Sequence, residues 1–213
     1  MLNFIRISDK IEGMKRIIFI ITIFLSLLMA DEKNGWKPLH EATYSQDMNR
    51  VESIVNGEKC DIDAQSKAGI SPLHIAVKVR NGKIVDYLLD HGAEVDIQDN
   101  NGFTPLLYAI SQHRYKIVVS LIRHEADVNL ANGAGITPLQ QAAYSNDFKI
   151  VDFLLRNGAD PEVKNKNGVN ACELAYLKGN FAMAEHLKPY TKGECGKYAD
   201  QLKGGEDADN GKR

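Results

Sequence analysis

One tetrapeptide returns along the chain at a nearly fixed interval, and nothing else in the sequence restricts the possible folds as strongly. It reads Lys37-Pro38-Leu39-His40, Ser71-Pro72-Leu73-His74, Thr104-Pro105-Leu106-Leu107, Thr137-Pro138-Leu139-Gln140 and, in a worn form, Asn170-Ala171-Cys172-Glu173. The steps between copies are 34, 33, 33 and 33 residues. A period of this size marks stacked copies of one supersecondary unit, each too small to bury its apolar face alone.

Every copy carries the chemistry of a helix start. The side chains of Ser71, Thr104 and Thr137 can cap free N–H groups of a first turn, and the proline that follows sits where its missing N–H costs nothing. In the second copy an apolar stripe runs Leu73, Ala76, Val77 and stops near Arg80-Asn81-Gly82, where Gly82 is expected to supply the turn. A second helix then carries Ile84, Val85, Leu88 and Leu89 on one face and ends at His91-Gly92. The same block recurs as Ile117-Val118 with Leu121-Ile122, and as Ile150-Val151 with Leu154-Leu155 before Asn157-Gly158. The links between copies, such as Ala93 to Gly102, are too rich in Asp, Asn and Gly to continue a helix and read as extended turns. The expected architecture is an all-α repeat solenoid.

The period divides the chain. Copies span residues 31–65, 66–98, 99–131, 132–164 and a truncated 165–190, and residues 191–213 read as a disordered polar tail. Ahead of them, Lys15-Arg16, an apolar run from Ile17 to Ala30 and then Asp31-Glu32-Lys33 form the three-part pattern of a secretory signal. The run of 14 residues is short of a membrane span, which needs about 20. The reading is a signal cut after Ala30, giving a periplasmic or secreted protein. An inner-membrane anchor over residues 17–30 is the alternative. Because Met14 opens a complete signal, residues 1–13 are read as a misplaced start.

The helix start, the Ile-Val-x-x-Leu-Leu block and the Gly158-Ala159-Asp160 ending resemble ankyrin repeats, over about 160 of the 213 residues. The isoleucine-rich signal points to an exported bacterial member. The resemblance implies a stack of about five helix-turn-helix repeats with β-turn fingers and a concave groove that binds a partner protein. Mapped by position, it puts Trp36, Ile70, Phe103, Ile136 and Val169 after the finger glycine, with Tyr44, Lys78, Gln112 and Tyr144 on the first helices. Val79, Ser111 and Ser145 fall beside them. Trp36, Tyr44, Phe103 and Tyr144 are the strongest candidate anchors, because aromatic side chains on a rigid surface dominate binding. Two departures stand out. The histidine of the tetrapeptide survives only as His40 and His74, so weaker caps are expected elsewhere, and Glu125 replaces a turn glycine.

Composition and motifs narrow the function. A formal charge of −2 with no basic stripe gives no footprint for nucleic acid. No His-x-Glu, Cys-x-x-Cys, Gly-x-Ser-x-Gly or phosphate-loop pattern occurs, so the chain is read as non-enzymatic and without a cofactor. The six histidines lack ligand-like spacing, and no metal site is assigned. Cys60 and Cys172 lie in the first and last copies, roughly 35–40 Å apart on a stack of helix layers. A disulfide requires Cα atoms within about 7 Å, so these two cannot pair; Cys195 on the tail reaches Cys172 only if that core residue is exposed, and three free thiols are therefore expected, with Cys60 or Cys195 open to intermolecular links. The first reading is therefore a monomeric, exported binding module for a protein partner. Two alternatives stand beside it: a haem or metal carrier serving an oxidative-stress enzyme such as catalase, and a membrane-anchored scaffold.

Overall fold

The computed structural model describes residues 35–192 and Cys195. The signal segment, and the tail beyond Cys195, lie outside the described residues. Among the described residues ten α-helices form five antiparallel pairs: α1 Pro38–Tyr44 with α2 Met48–Val55, α3 Pro72–Lys78 with α4 Gly82–Asp90, α5 Pro105–Ser111 with α6 Tyr115–Arg123, α7 Pro138–Tyr144 with α8 Phe148–Arg156, and α9 Ala171–Leu177 with α10 Phe181–Leu187. A single 3-10 turn, Lys188–Tyr190, closes the last pair, and no strand occurs among the described residues. First helices pack on first helices, α1 to α3 to α5 to α7 to α9, while α4, α6 and α8 line up behind them.

The caps form as the sequence dictates. Ser71, Thr104 and Thr137 accept from the backbone N–H groups of His74, Leu107 and Gln140 at 3.2–3.3 Å, with proline in the first turn. The expected weakening elsewhere is confined. Gln140 accepts from the Thr137 N–H at 3.3 Å and Glu173 from the Asn170 N–H at 3.0 Å, so both complete a capping box without histidine. The hydroxyl contact that His74 makes to Ser71 is the part they do not reproduce.

The turns show where backbone strain resides. The left-handed residue between the paired helices is Gln46, Arg80, His113, Asn146 or Gly179, with φ between +56° and +75°. Arg80 makes the turn in the second copy, and Gly82 opens α4 instead, because the turn is complete one residue before the Asn81 cap. After the second helices, Gly92 and Gly158 adopt φ of +86° and +88°, and Glu125 is forced to +67° in the same role.

The fingers repeat a side-chain turn. Asp99, Asn132 and Asn165 each accept from two N–H groups of their own loop at 2.8–3.2 Å. Neighbouring fingers are then joined by the Asn100, Gly133 and Lys166 N–H groups, which donate to the carbonyls of Ala68, Asn101 and Ala134 at 3.1, 2.8 and 3.2 Å. Gly102 must be glycine on two counts, a φ of +77° and the Gly133 nitrogen 2.5 Å from where a Cβ would stand.

One core threads the five copies. Leu39, Leu73, Leu106, Leu139 and Cys172 occupy equivalent, fully enclosed positions against Ile84 and Leu88, Ile117 and Leu121, Ile150 and Leu154, and Met183 and Leu187. Each such leucine contributes about 1.5–3 kcal/mol through burial.

The expectation of three free thiols is overturned at the end of this core. Cys172 and Cys195 form a disulfide, with Cα atoms 5.4 Å apart. In the inner copies a neighbouring repeat covers the leucine position. In the last copy the chain beyond the 3-10 turn returns to that position and places Cys195 over α10, where both sulfurs approach the Ala184 carbonyl at 3.1 and 3.6 Å. The chain is therefore tied down at Cys195, inside the stretch expected to be a loose tail. Cys60 remains a free thiol.

Candidate protein-binding face

The candidate groove residues stand on a framework of histidine and amide bonds between repeats. The His40 ring accepts from the Lys37 N–H at Nδ1 (3.0 Å) and donates from Nε2 to the Ile70 carbonyl (3.0 Å). His74 does the same with the Ser71 N–H (3.2 Å) and the Phe103 carbonyl (2.9 Å). Gln140 reaches the Val163 and Val169 carbonyls at 2.7 and 3.1 Å. These carbonyls belong to the next finger, so each bond fixes finger and helix together. A ring that accepts at one nitrogen and donates at the other is neutral. Burial holds both imidazoles below their ordinary pKa, against the carbonyl bonds that raise it.

On this frame the aromatic candidates fall into three groups. At the first repeat, Trp36 is half-buried, stacks on His40 at 6.0 Å and meets Tyr44 edge-on at 5.4 Å, while Tyr44 keeps 39% of its surface exposed. In the middle, Phe103 packs on Tyr108 at 5.5 Å, and the Lys78 ammonium lies 5.6 Å from the Tyr108 ring centre. At the fourth repeat Tyr144 is 47% exposed, with the Lys178 ammonium 4.5 Å from its ring centre. Gln112 and Ile136 are half-buried between the second and third groups in chain order.

Ile70 does not belong with them. It is 4% exposed, and its backbone is held by His40 and by the Ser66 hydroxyl, so it packs the stack instead of lining its surface. Val169 is buried in the same way. Tyr108 is the residue sequence reasoning missed. It lies one helical turn before Ser111 on the same face, donates to Asp99 at 2.8 Å and meets His74 edge-on at 5.5 Å. The i, i+3 spacing from Ser111 was the available signal.

Of the remaining four histidines, His91 bonds the Tyr87 carbonyl of the helix it caps at 2.8 Å, and the other three join repeats on other faces. His113 bonds Asp147 at 2.9 Å, His124 bonds Asp90 at 3.2 Å, and His186 bonds Asp152 at 2.6 Å, each across 34 residues. The Ser120 carbonyl and Asp90 raise the His124 pKa. Among the described residues no group of three or more His, Cys, Asp and Glu converges as metal ligands would. A haem or metal carrier needs a histidine pair facing the groove, whereas His40 and His74 are enclosed and engaged at both ring nitrogens. No helix among the described residues is long and apolar enough to cross a membrane.

The family model described as ankyrin repeats (three copies) matches residues 39–132 and 120–197. A stretch of 71 residues is 32% identical to the human protein named Ankyrin repeat and SOCS box protein 3. That stretch is 32% of this chain and 14% of the relative, so the chain spans only a small part of the relative's length.

Proposed function

The chain belongs to the ankyrin repeat family, a fold of protein–protein interaction modules, and from that premise we propose that it is exported and grips a partner protein in its concave groove. The observation that carries this reading is the set of aromatic side chains held at a rigid surface, with Trp36 and Tyr44 at one end, Phe103 with Tyr108 in the middle, and Tyr144 beyond them. Such rings contribute large contact area with little entropy to lose, because packing already fixes them. Lys78 and Gln112 add polar contacts, and Ile136 an apolar one.

Two features support export. The Lys15-Arg16 and Ile17–Ala30 pattern supplies the address. The Cys172–Cys195 disulfide suits an oxidising compartment, since cytosolic thiols are kept reduced. Peptide sequencing of the mature protein tests this half directly: an N-terminus at Asp31 is expected, and an intact Met14 or Met1 start in the cytosol contradicts it.

The groove is tested by capture from the exported fraction of the source cell. The mature protein is run beside a Trp36→Ala/Tyr44→Ala/Phe103→Ala variant that retains its helical circular dichroism. One protein held by the first and released by the second is the expected result. Capture that the variant leaves unchanged removes the groove from consideration.

A further inference from the structure

The turns between paired helices form an edge of the stack remote from the fingers. Each first helix runs from its finger to that edge, about 10 Å for seven residues at 1.5 Å each. Lys83, Lys116 and Lys149 stand there at 33-residue intervals, each the second residue of its helix and each exposed. A cation at a helix N-terminus is opposed by the helix dipole, so these three side chains do not serve the stability of their own helices. Among the described residues no carboxylate forms an ion pair with any of them. Arg80, Lys83 and Lys116 border a cleft of about 440 Å³ whose acid, Asp86, is already bonded by the Ser120 hydroxyl.

Beyond Lys149 the same edge becomes apolar. Tyr144 and Phe148 flank the turn of the fourth repeat, and Leu177 and Phe181 hold the equivalent places of the fifth; they are 47, 37, 45 and 58% exposed. The second repeat has Lys78 and Gly82 at these places. In the third, Ser111 is polar and Tyr115 is covered by Phe153 at 5.6 Å and by the Lys149 ammonium at 3.8 Å from its ring centre. In the first repeat Tyr44, 39% exposed, packs on Trp36, and the contiguous apolar patch of the fourth and fifth repeats lies at the opposite end of the lysine row, with Lys178 over the Tyr144 ring at its margin. At about 200 Å² per aromatic side chain, the four residues expose roughly 350 Å². A stable dimer buries about 800 Å² per partner, so the patch suits a short segment and not a second copy of the chain.

We propose that this edge docks a short acidic segment of a partner protein, with its carboxylates along Lys83, Lys116 and Lys149 and its large apolar side chains on Tyr144, Phe148, Leu177 and Phe181. The spacing supports the match. Stacked helices lie about 8–10 Å apart, and three residues of a polyproline II segment make one full turn and cover about 9 Å, returning to the same face. Acids at every third position therefore meet successive lysines. This edge shares Tyr144 with the groove but lies away from Trp36 and Phe103, so substitutions at those two residues separate the two sites.

The test is fluorescence anisotropy with a fluorescein-labelled dodecapeptide, made in both chain directions and titrated with the whole protein. The peptide carries glutamate at three successive third positions, followed by Leu-Phe-Ser-Leu. Saturable binding of one direction is expected, weakened at least about tenfold by Phe148→Ser/Phe181→Ser and by Lys83→Glu/Lys116→Glu/Lys149→Glu. The charge-reversed variant should instead bind the peptide with lysine in place of glutamate, which a misfolded protein cannot do. Trp36→Ala/Phe103→Ala should leave binding unchanged. Absence of saturable binding in both directions overturns the proposal, as does equal binding of the lysine peptide to the native protein or loss of binding through the groove pair alone.

Discussion

Alanine at Gly102 and at Gly168 gives a controlled measure of what holds the fingers together. Both glycines close a finger in the left-handed region, with φ of +77° and +74°. At either position alanine carries the same conformational penalty, about 1–2 kcal/mol. Their surroundings differ. A Cβ on Gly102 would stand 2.5 Å from the Gly133 nitrogen, whose N–H donates to the Asn101 carbonyl at 2.8 Å. A Cβ on Gly168 meets nothing within 4 Å. The Gly102 contact is with backbone, which cannot rotate aside, so the two fingers must separate. The lost hydrogen bond costs about 1 kcal/mol, and the overpacking about 1–3 kcal/mol. The expected losses are therefore about 3–6 kcal/mol for Gly102→Ala and about 1–2 kcal/mol for Gly168→Ala. Urea unfolding followed by far-UV circular dichroism reads both, provided the slopes agree. Equal losses at the two sites would refute the claim that finger-to-finger packing, beyond local φ, stabilises the stack.

Two further predictions concern the disulfide and the enclosed histidines. Cys172–Cys195 closes a separation of 23 residues, which in the chain-entropy account stabilises by roughly 3 kcal/mol. In the Cys195→Ser variant, hydrogen exchange in α9 and α10 should accelerate by about two orders of magnitude while α3 to α5 stay protected. Unchanged exchange in α9 and α10 contradicts this. His40 and His74 have folded pKa values below the unfolded one, so the unfolded chain alone takes up protons as pH falls below about 6.5. Their stability contribution is complete above that pH and declines beneath it. His124 acts in the opposite sense: with its pKa raised, its contribution is present below about 6.5 and is lost as pH rises through the folded value. His74→Gln, which copies the bonds of Gln140, should flatten the loss of stability between pH 7 and 5 in urea titrations. A slope identical to the native protein's contradicts the role given to His74.

Much of the fold was legible because each repeat states it again in local chemistry. Ser71, Thr104 and Thr137 cap where expected, the leucines after the prolines enter the core, and Glu125 is strained where a glycine was missing. Reading failed where one residue type serves two geometries. Gly82 looked like a turn former, yet the turn falls on Arg80, since the position rather than the residue sets φ there. Ile70 and Phe103 occupy one register position, but only Phe103 remains partly exposed. Gln140 and Glu173 looked like lost caps, and their amide and carboxylate reach the same N–H that the imidazole does.

By itself the sequence determined the period, the helix starts and the two apolar faces of each unit, because caps, prolines and leucines act within a few residues of themselves. Only the tertiary structure decided which of these equivalent positions are free. Phe148 and Tyr115 share a register position, yet Tyr115 is covered by Phe153 and Lys149 while Phe148 stays 37% exposed. Cys172 has the place of a leucine, yet it pairs with Cys195 because no further repeat lies over it among the described residues. Those outcomes depend on what stacks against a side chain from another repeat or from the returning chain, and packing across such separations leaves no mark in the local pattern that forms the helices.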